Sequence, residues 1–217
     1  MKNLNDFKYY LNLGKKYYPN IPFINEIDLY KALSFTNMAL SIKFEPPKEL
    51  LAETYLLRGK INSSLFYYED SILDFDKVIE IQKDSDLSYF HRANAKNNLN
   101  QVDAALDDFN KAIEINSFNE NFYIKRSFIK EKLNLFEEAI DDIDEAINLN
   151  PNNLSFFVQK GALEYILGNY GDAINNFDIA IKKTTNDIDA FMLESIYRKK
   201  AEIKYKDSFY KLLIRIN

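Results

Sequence analysis

The chain has 217 residues, 47% of them hydrophobic and 28% charged, a composition that suits a packed, soluble fold and excludes a disordered polymer. Only 5 Gly and 5 Pro leave few tight turns, which favours helices over an all-β chain, and the lack of Cys excludes a disulfide framework, a thiolate metal site and a cysteine nucleophile. A net charge of −5 offers no attractive field to nucleic acid or anionic membrane, and no stretch has the apolar length of a signal or spanning segment, so a cytoplasmic protein is expected.

Residues 1–51 read as a degenerate helical hairpin. Tyr10, Leu13, Gly14 and Tyr17 lie on one face of a first helix, and Ala32 and Ala39 mark the small-residue face of a second. Pro19-Asn20-Ile21-Pro22 is expected to be an inserted loop, and Pro46-Pro47 to stop the second helix.

From residue 52 onward a 34-residue period sets in, marked by Ser71, Ala105, Ala139 and Ala173, and it divides the chain into units 52–85, 86–119, 120–153 and 154–187. In each unit position 4 is aromatic (Tyr55, Tyr89, Tyr123, Phe157) and position 8 is small (Gly59, Ala93, Ser127, Gly161), one turn apart on a first helix. Position 20 is the small marker residue, position 24 is bulky (Phe75, Phe109, Ile143, Phe177) and position 27 is short (Val78, Ala112, Ala146, Ala180), which defines a second helix. Asn100, Asn134 and Gly168 at position 15 suit the left-handed conformation that closes a helix, while Phe66 departs from that chemistry. Small residues let two helix backbones approach and bulky ones fill the space beside them; one hairpin cannot bury its own apolar face, so neighbours must stack. Residues 188–217 are expected to supply capping helices, a long one to about residue 206 and a short one to residue 216.

The pattern in residues 52–187 resembles the tetratricopeptide repeat, with departures at position 11 (Asn62, Lys96, Lys130, Glu164) and with Pro at position 32 only as Pro151. The resemblance implies an all-α, right-handed superhelical solenoid of antiparallel helix hairpins, acting as a non-enzymatic adaptor or scaffold for a protein or peptide. Self-assembly through the groove or a terminal helix is the alternative. No cofactor or metal is expected: Asp107-Asp108 and Asp141-Asp142 are sequence neighbours, which point about 100° apart on a helix and cannot easily serve one site.

Arg58, Arg92, Arg126 and Lys160 at position 7 change together with Asp74, Asp108, Asp142 and Asn176 at position 23, so each hairpin is expected to carry an internal pair. His91 is read as an open-surface residue of a first helix. By resemblance, the ligand lies along the concave face of the first helices, and Lys60, Phe90, His91, Asn94, Asn98, Lys125, Phe128, Lys132 and Gln159 become the candidate peptide-binding residues. The subgroup that clamps chaperone C-termini is not indicated: of the clamp equivalents Phe90, Asn94, Lys125, Ser155 and Gln159, only Asn94 matches.

Overall fold

The computed structural model describes residues 2–18, 25–183, 199–200, 202–204 and 206. The described residues up to 183 form ten α-helices and no strand, and the chain divides into two compact units, Met1–Ser117 and Phe118–Asn217. The first unit holds three consecutive hairpins: α1 (Lys2–Tyr17) with α2 (Glu26–Ser41), α3 (Lys48–Ser64) with α4 (Tyr68–Ile81), and α5 (Asp86–Asn98) with α6 (Val102–Ile115). The second holds α7 (Glu120–Lys132) with α8 (Phe136–Leu149) and α9 (Leu154–Ile166) with α10 (Tyr170–Lys183). Within each unit successive hairpins also touch: α2 meets α3, α4 meets α5, and α8 meets α9.

The small residues lie where the period requires them. Ala105, Ala139 and Ala173 are fully buried, as are Ala112, Ala146 and Ala180 about two turns further on. One turn along the same helices from position 20, Phe75, Phe109, Ile143 and Phe177 fill the hairpin interiors. A Cβ on Gly59 would come within 2.7 Å of the Phe75 ring, and one on Gly161 within 2.7 Å of the Phe177 ring, so position 8 is glycine where the partner ring presses closest. In the N-terminal hairpin Phe7, Leu11, Ala32 and Ala39 are buried in the same manner. Here α2 stops at Ser41, before Pro46-Pro47, and Pro47 stands at the start of α3 instead. Proline's fixed φ and missing N–H are tolerated at a helix start, where the donor has no intrahelical partner.

Each repeat turns at the same left-handed residue: φ is 64° at Phe66, 59° at Asn100 and Asn134, and 82° at Gly168. The N–H that follows reaches back to a carbonyl five residues earlier, Tyr67 to Asn62 at 2.8 Å and Gln101 to Lys96 at 2.9 Å, which satisfies an otherwise orphaned acceptor. Phe66 therefore keeps the common turn despite its side chain, at a steric cost that Asn and Gly largely avoid. The expected loop at residues 19–22 lies outside the described residues. So do the expected capping helices, apart from residues 199–200, 202–204 and 206, which are helical.

A ladder of buried ions crosses the hairpins. Arg58 grips Asp74, Arg92 grips Asp108 and Arg126 grips Asp142, each through Nε and Nη2, with the shortest contact 2.6 Å in every case. The position-4 tyrosines stack on these guanidinium groups, Tyr55, Tyr89 and Tyr123 lying 5.6, 5.3 and 5.7 Å away. A second donor arrives from position 11: Asn62 at 3.1 Å from Asp74, Lys96 at 2.7 Å from Asp108 and Lys130 at 3.1 Å from Asp142. Burial pushes the Asp74 carboxyl above its ordinary pKa, and the bonds from Arg58 and Asn62 pull it back only in part. Burial also opposes the charge of Arg92, but the carboxylates of Asp108 and Asp76 outweigh it and hold its pKa above the ordinary value.

The fourth rung differs from its expected form. Lys160 turns away from Asn176 to Asp144 of the preceding hairpin, at 2.5 and 2.7 Å, while Asn176 donates to the Asp172 carbonyl at 3.0 Å. A neutral amide cannot neutralise an ammonium half-buried beside it, and the carboxylate one hairpin earlier can. The same backward link recurs where Arg92 Nη1 donates to Asp76 at 2.5 Å and Arg58 Nη1 to Asn37 at 2.9 Å, and Lys200 pairs with Asp178.

His91 is not on an open surface. It is half-buried, its ring stacked on Phe75 of the preceding hairpin with centroids 5.6 Å apart. Burial, with a smaller contribution from the charge of Lys60, lowers its pKa from 6.5 to about 4. The folded protein thus prefers neutral imidazole, so the stability His91 confers is complete above the unfolded pKa and declines as pH falls from 6.5 towards 4.

Three outcomes follow for stability. Ala139→Leu overpacks a helix contact and lowers unfolding free energy by about 1–3 kcal/mol in denaturant titration. Asp142→Ala strips the partner from two half-buried cations and costs about 3–5 kcal/mol by the same measurement. Acidification from neutrality to about pH 4.5 removes roughly 2–3 kcal/mol more from the wild type than from His91→Gln; parallel pH profiles would refute the His91 assignment.

Candidate functional site

The first helices carry the candidate residues, and the repeat fixes which of their faces point away from the second helices. In the first unit, Lys60 on α3 and His91 on α5 line one cavity of about 200 Å³ together with Tyr18, Ser63 and Ser64. The Lys60 ammonium lies 5.6 Å from the Tyr18 ring centroid. The Tyr18 hydroxyl is bonded to Ser64 Oγ at 3.1 Å and donates to the Lys60 carbonyl at 3.4 Å. This cavity holds a cation, two serine hydroxyls and a neutral imidazole.

Asn94 and Asn98 follow along α5. Their amide nitrogens fold back on the helix, Asn94 donating to the Phe90 carbonyl at 2.7 Å and Asn98 to the Asn94 carbonyl at 2.9 Å. Donor and acceptor are therefore not equally available, as an isolated asparagine would suggest, and the amide carbonyls are the more accessible half. Phe90 differs from the open apolar contact expected of it: it is half-buried, packed edge-to-face on Phe109 of its own hairpin at 5.8 Å.

In the second unit Lys125 and Phe128 stand together on α7, both exposed, with the ammonium 5.8 Å from the ring centroid. Lys132 is exposed one turn further on. Gln159 on α9 is half-buried, and its Oε1 is a buried side-chain oxygen without a hydrogen-bond partner among the described residues.

The second helices differ in charge. Helix α8 carries Glu137, Glu138, Asp141, Asp142, Asp144 and Glu145 and no basic residue, whereas α7 carries Lys125, Arg126, Lys130 and Lys132 against Glu120 and Glu131. Asp107 and Asp141 are exposed while their neighbours Asp108 and Asp142 are buried in the ladder, so the adjacent pairs part as helix geometry requires. Among the described residues no group of three or more His, Cys, Asp or Glu is placed to hold a metal ion, and no helix is long and apolar enough to cross a membrane.

Sequence reasoning missed the position-11 residues, which supply the second donor to each buried aspartate, and the acids at Asp76 and Asp144, which bind the position-7 cation of the following hairpin. The signal was present: Asn62, Lys96 and Lys130 accompany Asp at position 23, and Glu164 accompanies Asn176.

A tetratricopeptide-repeat family model matches residues 52–85, 87–119 and 121–153. No curated protein matches the sequence. Among solved structures, the crystal structure of MamA protein is 20% identical with a TM-score of 0.70, covering 82% of this chain and 92% of that one. MamA from Desulfovibrio magneticus RS-1 is 14% identical with a TM-score of 0.70, over 82% of this chain and 95% of its own. YrrB, described as a TPR protein with an unusual peptide-binding site, is 17% identical with a TM-score of 0.65, over 86% and 90% of the two chains. Such identities speak to the fold, and together with three matched repeats, paired helices and a recurring left-handed turn they mean that residues 52–153 are tetratricopeptide repeats within a chain of that fold.

Proposed function

We propose that the chain is a non-enzymatic adaptor whose first helices hold a peptide or protein segment bearing acidic and apolar side chains. The observation that carries this reading is the segregation of charge between the helices of a hairpin: α7 presents Lys125 and Lys132 to solvent, while α8 presents Glu137, Glu138 and Asp141. An acidic ligand is attracted to the first set and repelled by the second. In the second unit Phe128 adds an apolar surface beside the Lys125 charge, the mixture that an acidic-apolar segment would use. In the first unit Lys60 offers its charge at the cavity it shares with His91, and the Asn94 and Asn98 carbonyls can accept bonds from a ligand backbone. Gln159 keeps its unpaired oxygen buried and does not present it to a ligand. Peptide binding by a protein of this fold is named in the description of YrrB, which supports the class of ligand and leaves its identity to experiment.

Changing Asn94, Lys125 and Phe128 together to alanine should leave the helical circular dichroism unaltered and release the specific partners recovered by the wild type in a pull-down from native lysate. A control with Asp107 and Glu138 changed to alanine should retain them. Retention by the triple variant and loss by the control would place the binding surface on the second helices and refute the assignment.

A further inference from the structure

The second-helix side of the first unit carries an apolar face that the other repeats lack. Phe66 in the turn is 74% exposed and Leu73 on α4 62% exposed, and Tyr67 at the cap of α4 and Tyr30 and Met38 on α2 are exposed as well. The Tyr30 and Tyr67 hydroxyls bond each other at 3.1 Å across the two helices. Two open cavities adjoin here: one of about 310 Å³, with Leu33, Tyr67 and Leu73 at its apolar edge and Arg58, Asp70 and Asp74 on its polar wall, and one of about 480 Å³ bordered by Tyr30, Leu33 and Met38 with Asn37 and Ser41.

The repeat supplies its own controls. Where this hairpin has Phe66, Tyr67 and Leu73, the next has Asn100, Gln101 and Asp107, the third has Asn134, a half-buried Leu135 and Asp141, and the fourth has Gly168, Asn169 and Asn175. Phe66 also holds a φ of 64°, a conformation the other repeats assign to Asn or Gly. An aromatic ring there is both exposed and strained; it meets the Tyr68 ring edge-on at 6.2 Å but stays mostly in water, so burial does not offset its backbone cost, and strain maintained at an exposed position points to use. At the rim, Glu69 and Asp70 are exposed and form no ion pair with any described residue. The face therefore fits apolar side chains accompanied by one or two cations.

Apolar runs with cations also occur within α3 and α7, where they are already packed in hairpins; outside the described residues, the acid-free stretch of that chemistry lies at 209–216. Phe209–Ile216 has six apolar or aromatic residues out of eight, with Lys211 and Arg215 between them. From the match of apolar content and opposite charge, we infer that the α2/α4 face is a self-association surface, on which the Phe209–Ile216 segment of a second copy of this chain docks with its basic residues against Glu69 and Asp70. Reciprocal exchange between two copies closes a dimer. This surface lies on second helices and is independent of the first-helix ligand face, so either assignment can fail alone.

Analytical ultracentrifugation of the full chain tests it. The wild type should reach a dimer within concentrations up to about 100 µM. Phe66→Asn with Leu73→Asp should raise the dimer dissociation constant at least about tenfold. Because Asn relieves the left-handed strain and both positions are exposed, that variant should keep its helical spectrum, which separates lost association from lost folding. Lys211→Glu with Arg215→Glu should have a similar effect, and mixing the two variants should restore a one-to-one complex, since one partner keeps the face and the other the segment. A wild type that stays monomeric throughout this range, a dimer indifferent to both variants, or a mixture that fails to associate would each overturn the inference.

Discussion

Asp108 comes from a second helix and is almost wholly buried, yet it remains among charges: Arg92 holds it with two parallel bonds, Lys96 approaches from the next turn, and Tyr89 covers the guanidinium. Asp142 repeats the arrangement with Arg126, Lys130 and Tyr123. Desolvating a carboxylate is expensive, and the cost is offset only where donors surround it in good geometry. That requirement locks the facing of the two helices in each hairpin, since a quarter-turn of either would leave an ion buried alone. The alanines at position 20 permit the close approach, but they are non-directional; the ion pair gives the hairpin its register. In the last repeat Asp is replaced by Asn176, the cation becomes lysine and position 11 becomes Glu164, so the site changes as a group.

Much of this was legible in the sequence because a period of 34 places the same physical demand at the same offset. Ala105, Ala139 and Ala173 announce a helix contact, and Arg92 with Asp108 announces a pair within one hairpin. The contacts that reading missed run between hairpins. Lys160 matched Asn176 by position, but stacking brings Asp144 nearer and a charge wins over an amide. Residue type alone also misjudged the aromatic neighbourhood: Phe90 and His91 both sit on a first helix, and the rings of Phe109 and Phe75 draw them in. Phe66 read as a break in the turn, whereas the backbone bonds that close the helix hold its left-handed geometry in spite of the side chain.

The two faces of a hairpin serve different physical ends. First helices devote their arginines and tyrosines to the ladder and leave lysines and amides at the surface; second helices devote one aspartate to the ladder and leave several acids in water. The chain's negative charge is thereby concentrated on the second helices of the first four hairpins, whereas α9 and α10 each carry acids and bases in equal number.

The cations that face backward have a bearing on cooperativity. Arg92 is bonded both within its own hairpin and to Asp76 of the one before, and Lys160 is bonded to Asp144, so opening the earlier hairpin strips a partner from the later one. In a one-dimensional array such nearest-neighbour terms decide whether repeats melt singly or together. The link from Arg58 to α2 is different in kind, because its acceptor is the neutral amide of Asn37 and no charge is stranded when it parts. Charge does join the N-terminal hairpin to α3, through Lys15 and Glu53 at 2.6 Å, but both groups lie open to water, so parting them strands no buried ion and leaves the ladder behind it intact.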